Sequence, residues 1–414
     1  MSTTARPLEG KTVIDLTTAL SGPYATLLLA GLGARVIKVE NPTRGGDSSR
    51  NNSPYVTREG LSVLRTSDED MSVSMMLRGR NKESVTLNMK HPEARQVFLD
   101  LVANADIVVE NYSAGVTSRL GIDYESVRHL NPALVYTSIS GFGAQGGAGT
   151  GKAMDTIIQA LSGVMMTAGK PGDGPVRFGL PIGDLVAPLF GVIGTLAAVL
   201  QAERTGEGQH VDVSMLGALT SLVACEPFDA FEKIGLPLRT GDYVPRLAPF
   251  GTFATSDGWF ALCAPTDEFA RGVMTALGTP ELVDDERFAR RDGRVANADT
   301  LHAMIAQWAQ HLTTADATAR LEAAGVPAAP VRSTAEAVRD PLVRERGEVV
   351  QLAHPSFGVQ EELFGAGLPM RLSASDTSLN EPAPGLGEHT ETVLRSLLGY
   401  ADEQIAKLRD TGAL

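Results

Sequence analysis

The stretch KTVIDLTTALSGPYATLLLAGLGARVIKVE, residues 11–40, contains three segments with different hydrophobic patterns. Residues 12–16 (TVIDL) and 34–40 (ARVIKVE) are rich in apolar and β-branched residues, as buried strands are. Residues 21–33 between them (SGPYATLLLAGLG) have helical character and end at Gly33, which is typical of a helix C-terminus. The stretch therefore predicts strand, helix and strand, which is the βαβ unit of an α/β fold.

The same alternation of elements continues downstream. Strands are predicted at residues 84–89 (SVTLNM), 106–111 (DIVVEN) and 133–143 (ALVYTSISGFG), and a helix at 91–105 (HPEARQVFLDLVANA). Parallel sheets bind ligands outside the carboxyl ends of their strands. The loops at 41–47, 110–121 and 140–152 are therefore candidate binding loops.

The chain has 414 residues, more than one hydrophobic core usually supports. We expect a large parallel-sheet domain at 1–225, a smaller α+β domain with its linkers at 226–332, and a segment at 333–414 that returns to the large domain. In the smaller domain, GTFATSDGWFALCAP at 251–265 predicts a hairpin around Asp257 and Gly258. Linkers are expected at 226–246 and 327–333.

Charge and cysteine content narrow the class of protein. The 36 Lys and Arg residues against 49 Asp and Glu residues give a net charge of −13, which argues against nucleic acid or an anionic membrane as a partner. Cys225 and Cys263 form no CxxC pattern, so we expect neither a disulfide framework nor a metal site, and a reducing cytoplasm fits best. The apolar run at 185–202 contains Pro188 and begins beside Asp184, which favours a buried core helix over a membrane span.

The common catalytic patterns are missing from the sequence. The turn after the first strand contains Gly22 but no GxGxxG, so a nicotinamide dinucleotide site is not indicated. The chain has no HExxH and no GxSxG, which leaves zinc hydrolysis and serine-hydrolase chemistry without support. Lysine and arginine are frequent between residues 38 and 82, where they form either a solvated surface or a site for phosphate groups.

One carboxylate stands in an apolar setting. Asp184 lies within GLPIGDLVAPLFG, residues 179–191, and is the only ionisable residue there. A buried charge without a partner is costly, so such an acid is hydrogen-bonded, protonated or reactive. Carboxylates serve as nucleophiles when the electrophile is an activated acyl group.

Ordered blocks along nearly the whole chain resemble a known family. They include SGPYAT (21–26), GGDSSR (45–50), VENYSAGVTSRLGI (109–122), RTGEGQHVDVSML (204–216) and PAPGLGEHT (382–390). In content and order these blocks are similar to those of the class III CoA-transferases, the CaiB/BaiF family. The resemblance implies a large Rossmann-like domain that binds CoA, a smaller α+β domain, and a homodimer in which the two chains interlock.

In that family the carboxylate at the position of Asp184 is the nucleophile. It attacks an acyl-CoA thioester to give an aspartyl acyl anhydride, and exchange proceeds through an aspartyl-CoA thioester. The resemblance also implies a set of CoA-binding residues, namely Lys38, Asn81, Asn111, Tyr112, Arg119 and Lys152. It implies no metal and no cofactor apart from the CoA thioester, which is a substrate.

The activity implied is transfer of CoA between an acyl-CoA, such as succinyl-CoA, and a small organic acid. Arginine residues such as Arg50, Arg177 and Arg246 are able to bind a distal carboxylate, which suggests a dicarboxylic acid. Leu20 stands where formyl-CoA:oxalate transferases carry Gln, which puts oxalate itself in doubt.

Two alternatives stay open at this point. The same fold houses α-methylacyl-CoA racemases, which pair the Asp with an upstream His, but Met154 stands at that position and cannot carry a proton. For Asp155, the next residue, we expect a hydrogen bond to backbone at a helix start. A CoA-binding protein without catalysis, in which Asp184 is a structural acid, also agrees with the ordered blocks.

Overall fold

The computed structural model describes residues 5–144, 153–244 and 246–414. The chain divides into two compact units. Unit 1 consists of Met1–Ser162, Phe178–Leu222 and Val338–Leu414, and unit 2 of Gly163–Arg177 and Val223–Ala337. These boundaries differ from the expected ones chiefly at Gly163–Arg177, which groups with unit 2 instead of the large domain.

The elements are named in chain order. The strands are β1 (Thr12–Asp15), β2 (Arg35–Glu40), β3 (Tyr55–Thr57), β4 (Gly60–Ser62), β5 (Met71–Ser72), β6 (Lys82–Thr86), β7 (Ile107–Glu110), β8 (Val135–Ser140), β9 (His210–Ser214), β10 (Phe250–Ala254), β11 (Trp259–Cys263), β12 (Ala328–Pro330), β13 (Val349–His354) and β14 (Gly358–Ala366). The helices are α1 (Ser21–Gly31), α2 (Val73–Arg78), α3 (Pro92–Ala103), α4 (Val116–Leu120), α5 (Tyr124–Val127), α6 (Asp155–Ser162), α7 (Ile182–Thr205), α8 (Met215–Val223), α9 (Phe228–Lys233), α10 (Asp267–Leu277), α11 (Arg291–Ala296), α12 (Ala298–Ala309), α13 (Thr314–Ala323), α14 (Thr334–Arg339), α15 (Pro341–Glu345), α16 (Thr390–Leu398) and α17 (Asp402–Asp410).

The βαβ unit predicted from residues 11–40 is confirmed. Strands β1 and β2 pair in parallel with Thr12 opposite Arg35, and α1 connects them. Within the described chain, the main sheet has parallel strands in the order β6-β2-β1-β7-β8-β9. This is the order of a doubly wound dinucleotide-binding sheet, whose ligand crevice lies where the strand order reverses. The carboxyl ends of β1 and β7 are therefore the place to look for a site.

The core of unit 1 forms because the parallel strands are apolar on both faces. Val13, Ile14 and Val108 are fully buried, as expected for a parallel sheet covered by helices on each side. One face packs against α3, α16 and α17, and the other against α1 and α7. The predicted helix at 91–105 corresponds to α3, whose apolar face includes the buried Phe98.

Helix α7 is the one helix of the described chain that is long and apolar enough to cross a membrane by length and composition. It packs against α1, β8 and β9, as a helix in an α/β domain does. The prediction of a buried core helix holds for only one face. Less than half of its most apolar window, 44%, is buried within the chain, and Leu189, Ile193 and Leu200 are exposed.

Unit 2 is built around an antiparallel sheet in the order β10-β11-β12, with α10, α12 and α13 forming its apolar core. The predicted hairpin is confirmed, since β10 and β11 pair with Phe253 opposite Phe260. The linker expected at 327–333 is wrong in part, because Ala328–Pro330 forms β12 and pairs with β11. The proline-rich composition of this segment favours a loop, but its backbone pairs with β11 and forms a strand instead.

The segment Gly163–Arg177 is hydrogen-bonded within unit 2 by the buried Arg239 and by the Gly241 amide, which donates to the Gly169 carbonyl oxygen at 2.9 Å. The Arg239 guanidinium donates hydrogen bonds to the carbonyl oxygens of Met166, Asp173 and Gly174, at 3.2, 2.7 and 2.7 Å. A charged donor with several carbonyl partners holds a loop firmly. Sequence composition alone gives no sign of such a contact.

Candidate active site

Asp184 is the third residue of α7 and lies in its first turn. The positive end of the helix dipole favours a carboxylate there. Gly183 precedes it, and a Cβ on Gly183 would lie 3.1 Å from the Asp155 Oδ1 atom. A side chain at position 183 would therefore crowd the Asp155 carboxylate.

The start of α7 is held by α6. The Gly183 amide donates to Asp155 Oδ1 at 2.8 Å, and the buried Gln159 donates from Nε2 to Asp155 Oδ2 at 2.7 Å. Gln159 also donates to the Leu180 carbonyl oxygen at 3.3 Å. Asp155 therefore makes the helix-start hydrogen bond expected of it, and it positions the residue before Asp184.

The electrostatic surroundings of Asp184 place its titration near neutral pH. Burial and the negative charge of Asp155 raise the pKa of the carboxyl and the Arg78 guanidinium opposes the rise, with the result that the pKa is about 6. At pH 7 the Asp184 carboxyl is ionised in most molecules, yet this carboxylate is poorly solvated. Such a group is a better nucleophile than a carboxylate in water.

A buried charge network supports the loop that follows β1; it consists of Asp15, Lys38, Asp47 and Lys82. The Lys82 ammonium lies 3.0 Å from Asp15, and the Lys38 ammonium lies 2.7 Å from Asp47 and donates to the Thr17 carbonyl oxygen at 2.7 Å. All four side chains are at most 2% exposed. The two acids and two bases compensate one another, as buried charges must.

The loop at residues 17–20 takes its shape from this network. Asp47 accepts hydrogen bonds at Oδ1 from the Ala19 amide at 2.9 Å and from the Thr18 hydroxyl at 3.1 Å. Ala19 has a φ of 69°, a left-handed conformation that is unusual for a residue with a Cβ. On the other side, Arg78 Nη1 donates to the Ala19 carbonyl oxygen at 3.2 Å. The loop at the carboxyl end of β1 is thus fixed from both sides.

Lys38, which the family resemblance assigned to CoA, lies inside the network and is 1% exposed. Its ammonium already has Asp47 and the Thr17 carbonyl as partners, and the neighbouring carboxylates raise its pKa. This environment argues against direct contact with a phosphate. The structure instead gives Lys38 a part in holding the loop at 17–20.

Asn81 lies apart from the other candidate residues. It has a φ of 57°, and its side chain accepts from the Glu381 amide at 2.9 Å and donates to the Ser378 carbonyl oxygen at 3.3 Å. It borders a cavity of about 1350 Å³ whose lining does not include Asp184. Within the described part of the chain, Asn81 therefore connects the start of β6 to the C-terminal segment.

Asn111 and Tyr112 lie at the carboxyl end of β7, beside the loop at 17–20. Asn111 accepts from the Thr18 amide at 2.9 Å and donates to the Thr18 carbonyl oxygen at 2.8 Å. The Tyr112 ring packs on the core, and burial raises the pKa of its phenol to about 12. These two residues lie at the edge of the sheet where the strand order predicts a crevice, and their roles toward CoA stay predictions.

Arg119 lies on α4 and is exposed. The described contacts give its guanidinium no hydrogen bond or ion pair, so it is accessible to an anion. Lys152, the remaining CoA candidate, lies outside the described residues. The roles of both residues toward CoA stay predictions.

Three residues near the site were missed by sequence reasoning as site residues. Asp47 lies in the block GGDSSR, Arg78 in the basic stretch 38–82, and Asp155 directly after Met154. Only their contacts distinguish them from similar residues nearby. Among the described residues no group of three or more His, Cys, Asp or Glu side chains is arranged to hold a metal, and Cys225 and Cys263 do not form a disulfide.

Comparison with curated proteins gives matches over nearly the full length. The acetyl-CoA:oxalate CoA-transferase of Acetobacter aceti is 37% identical, over 92% of this chain and 93% of that protein. The succinate–glutarate CoA-transferase of Agrobacterium fabrum is 33% identical, over 94% and 96%. The succinyl-CoA:mesaconate CoA-transferase of Haloarcula marismortui is 36% identical, over 94% and 95%.

Solved structures have the same fold. A CaiB/BaiF family protein from Brucella suis superposes with a TM-score of 0.81 at 32% identity, covering 95% of this chain and 99% of the other. Rv3272 from Mycobacterium tuberculosis gives a TM-score of 0.79 at 26% identity, covering 94% and 99%. The sequence model of CoA-transferase family III matches residues 8–390. The chain therefore belongs to CoA-transferase family III.

Proposed function

We propose that this CoA-transferase moves CoA from an acyl-CoA to a small dicarboxylic acid, with Asp184 as the nucleophile. The observation that carries the proposal is the position of Asp184, on the first turn of α7, partly buried and with a pKa raised to about 6. A carboxylate of this kind suits attack on a thioester at neutral pH.

The chemistry proceeds in four displacements at acyl carbons. Asp184 attacks the thioester carbonyl of the acyl-CoA, which forms an aspartyl acyl anhydride and releases the CoA thiolate. The thiolate attacks the Asp184 carbonyl carbon, forms aspartyl-CoA thioester and releases the donor acid as carboxylate. The acceptor carboxylate then attacks this thioester to give a second anhydride and thiolate. The thiolate finally attacks the acceptor acyl carbon, which yields the new acyl-CoA and restores the Asp184 carboxylate.

The surroundings of Asp184 serve this sequence of steps in two ways. Helix α7 presents its N-terminal positive dipole to the oxyanions that form at Asp184 and at the acyl carbon. The apolar neighbours of Asp184 limit access of water, which would hydrolyse the anhydrides. Among the residues that the structure describes, Asp155 is bound to the Gly183 amide and Met154 is a thioether, so neither supports the acid and base pair that a racemase needs.

The names of the relatives support the substrate class. Oxalate, glutarate and mesaconate, which appear in those names, are all dicarboxylic acids, and succinyl-CoA or succinate appears in several. We therefore propose succinyl-CoA as a donor and a dicarboxylic acid as acceptor. Oxalate is the weakest candidate acid, because Leu20 cannot supply the amide that a Gln would.

A panel assay tests the proposed function. The purified enzyme is incubated with acetyl-, formyl- and succinyl-CoA, each with a set of mono- and dicarboxylic acids, and the new CoA thioesters are identified by mass spectrometry. We expect acid-dependent formation of a new thioester without net hydrolysis. Hydrolysis alone, or no exchange with any acid, would contradict the proposal.

The dependence of transfer on pH follows from Asp184. Because the attacking group must be ionised and its pKa lies at about 6, we expect kcat/KM for the acyl-CoA to fall as the pH drops below 6, about tenfold per pH unit. The measurement is a pH profile at subsaturating acyl-CoA between pH 5 and 8, with the enzyme returned to pH 7.5 to confirm that it stays folded. A flat profile down to pH 5 would show that another group limits the reaction.

We expect Arg119→Ala to weaken binding of the CoA moiety. A charged hydrogen bond to phosphate contributes about 1–3 kcal/mol, so KM for every acyl-CoA should rise roughly 5- to 100-fold with little change in kcat. Initial rates with two acyl-CoAs of different acyl group measure this, and Lys152→Ala is expected to behave in the same way. Arg128→Ala, at an exposed arginine paired with Glu125, is the control. An unchanged KM would place the phosphates elsewhere.

We further propose that the functional protein is a homodimer. The exposed faces of α6 and α7 are apolar, with Ile157, Leu161 and Ile193 between 49% and 63% exposed. Contiguous apolar surface of this kind on a charged protein marks an interface. Light scattering should give twice the mass of one chain, and a monomer at micromolar concentration would contradict the proposal.

A further inference from the structure

Arg78 is held in a defined position beside the site. It is the last residue of α2, a helix that begins where the Ser72 hydroxyl accepts from the Ser74 amide at 3.1 Å. Met75 and Met76 of the same helix are buried in an apolar cluster with Leu352. Because the backbone of α2 is anchored by this packing, the direction of the Arg78 side chain is restricted.

The Arg78 guanidinium has a single recorded partner among the described residues, the carbonyl oxygen of Ala19. A guanidinium has five N–H donors, so most of its hydrogen-bonding capacity remains for another group. Ala19 itself is fixed, since its amide donates to Asp47. One nitrogen of the guanidinium is therefore fixed to the loop at 17–20, at the carboxyl end of β1.

The charge of Arg78 has no carboxylate bound to it in the described chain. Asp47 is committed to Lys38 at 2.7 Å, and Asp184 forms no salt bridge with Arg78 among the described ion pairs. Burial lowers the pKa of Arg78, while the charges of Asp47 and Asp184 oppose this effect. Partly buried cations are normally paired with an anion. Arg78 and Asp184 are near enough for their charges to interact, yet among the described contacts their side chains form no ion pair with each other.

Two other arginines considered for a substrate carboxylate, Arg50 and Arg246, already pair with a carboxylate of the chain. The Arg50 guanidinium binds both oxygens of the Glu40 carboxylate at 2.7 Å and is buried. Arg246 pairs with Glu226 at 2.8 Å. The expectation that Arg50 or Arg246 holds a distal carboxylate therefore finds no support in the structure.

We infer that Arg78 binds the non-reacting carboxylate of a dicarboxylic acid while the other carboxylate reacts at Asp184, and that it thereby selects dicarboxylic over monocarboxylic acids. The inference rests on the proposed function. A guanidinium binds a carboxylate through two parallel hydrogen bonds, which fixes both distance and orientation. Binding the reacting carboxylate in this way would instead withdraw charge from the oxygen that must attack. The remote carboxylate is the one that gains from the contact without losing reactivity.

The test compares an acid with its monoamide, which has the same length and shape but one charge fewer. Succinate and succinamate are assayed as acceptors with one acyl-CoA donor that supports turnover, in the unaltered enzyme and in Arg78→Met and Arg78→Lys. If the unaltered enzyme prefers another dicarboxylic acid in the panel, that acid and its monoamide are used. Arg58→Met is the matched control, because Arg58 lies in the turn between β3 and β4, is exposed and pairs with Glu69.

We expect Arg78→Met to lower the ratio of kcat/KM for succinate over succinamate by about 10- to 100-fold, through KM for the acid. The ratio for Arg78→Lys should lie between those of the unaltered enzyme and Arg78→Met, since an ammonium keeps the charge but cannot form the two parallel hydrogen bonds of a guanidinium. Arg58→Met should leave the ratio within about threefold. A ratio of rates in one preparation does not depend on the fraction of folded enzyme, so partial misfolding of a variant does not disturb the result.

Three results would overturn the inference. They are an unchanged ratio in Arg78→Met, an equal loss with both acids, and an unaltered enzyme that does not distinguish the two acids. An equal loss would assign Arg78 to the reacting centre or to the shape of the loop at 17–20. Failure of the unaltered enzyme to transfer CoA to any acid is a different outcome, and it would contradict the proposed function instead.

Discussion

Asp184→Asn should reduce CoA transfer by at least about 10⁴-fold, because the amide cannot attack a thioester and no described neighbour replaces it. Helix α7 and the hydrogen bond from Gly183 to Asp155 do not depend on the charge of Asp184. CoA affinity should therefore change little. The measurements are single-turnover transfer by mass spectrometry and acyl-CoA affinity by calorimetry, with Asp376→Asn, at an exposed aspartate in the C-terminal segment, as control.

The same substitution should make the folded chain more stable at neutral pH. The pKa of Asp184 is raised to about 6 in the folded chain, above its ordinary value near 3.9, so the free energy of unfolding falls as the pH rises from about 3.9 to about 6, and the full penalty is present above that. Asp184→Asn removes this penalty. The thermal midpoint of the variant should exceed that of the unaltered enzyme at pH 7.5, and the difference should shrink toward pH 4.

A chemical trap gives an independent readout of the nucleophile. Hydroxylamine attacks an aspartyl anhydride or thioester and leaves an aspartyl hydroxamate with release of the acid or the thiol. In the presence of acyl-CoA, the peptide containing Asp184 should carry this modification, and it should be absent in Asp184→Asn. Turnover above about 1% in the variant, or a hydroxamate on another residue, would remove Asp184 from the mechanism.

The second large effect concerns stability. Asp15→Asn should lower the free energy of unfolding by about 3–5 kcal/mol, because Asp15 compensates Lys38 and Lys82 inside the protein and its loss leaves an excess buried positive charge. Glu69→Gln removes an exposed pair with Arg58 and should cost less than about 1 kcal/mol. Chemical denaturation at pH 7 measures both.

The pH dependence of this effect has a defined sign. The lysine charges lower the pKa of Asp15 in the folded chain, so its stabilising contribution is present above the ordinary pKa of aspartate, about 3.9, and is lost as the pH falls through the lowered value. The difference between the unaltered enzyme and Asp15→Asn should therefore be full at pH 7 and decrease below pH 4. Equal stability of the two at pH 7 would show that the network contributes nothing.

The outline of the fold was accessible from sequence because the decisive signals are local. The apolar strand at Thr12–Asp15, the Gly-terminated helix and the second strand each follow from their own residues, and a parallel βαβ unit leaves one arrangement. Strand β6 was misplaced, since it begins at Lys82 instead of 84. Lys82 is a buried strand residue only because Asp15 neutralises it, which is a contact across 67 positions of the chain.

A site residue could be located from the sequence only where its place in the sheet follows from the order of strands. Asn111 follows the parallel strand β7 and therefore lies at the carboxyl edge of the sheet, while its role toward CoA stays a prediction. Arg44, Arg58 and Arg78 have the same residue type in the same basic stretch, and only the folded chain shows that Arg78 binds the Ala19 carbonyl oxygen and that its charge interacts with that of Asp184. The sequence suggests Lys38 as a CoA-binding residue, yet two carboxylates near it make its burial possible.

The division of unit 1 into three stretches has a consequence for how the chain is made. Edge strand β6 is covered by residues near the end of the chain: the Thr86 amide donates to the Thr390 hydroxyl at 3.0 Å, across 304 positions, and the His389 amide donates to the Ser84 carbonyl oxygen at 2.9 Å. At about 5–20 residues per second, a ribosome needs roughly 15–60 s to supply these partners. Meanwhile the nascent chain presents an uncovered strand edge, a template for association with other chains. Residues 223–337 of unit 2 are synthesised completely within that interval. We therefore expect unit 2 to finish folding before unit 1, although unit 1 contains the start of the chain. We also expect unit 1 to need chaperones until its C-terminal residues are available.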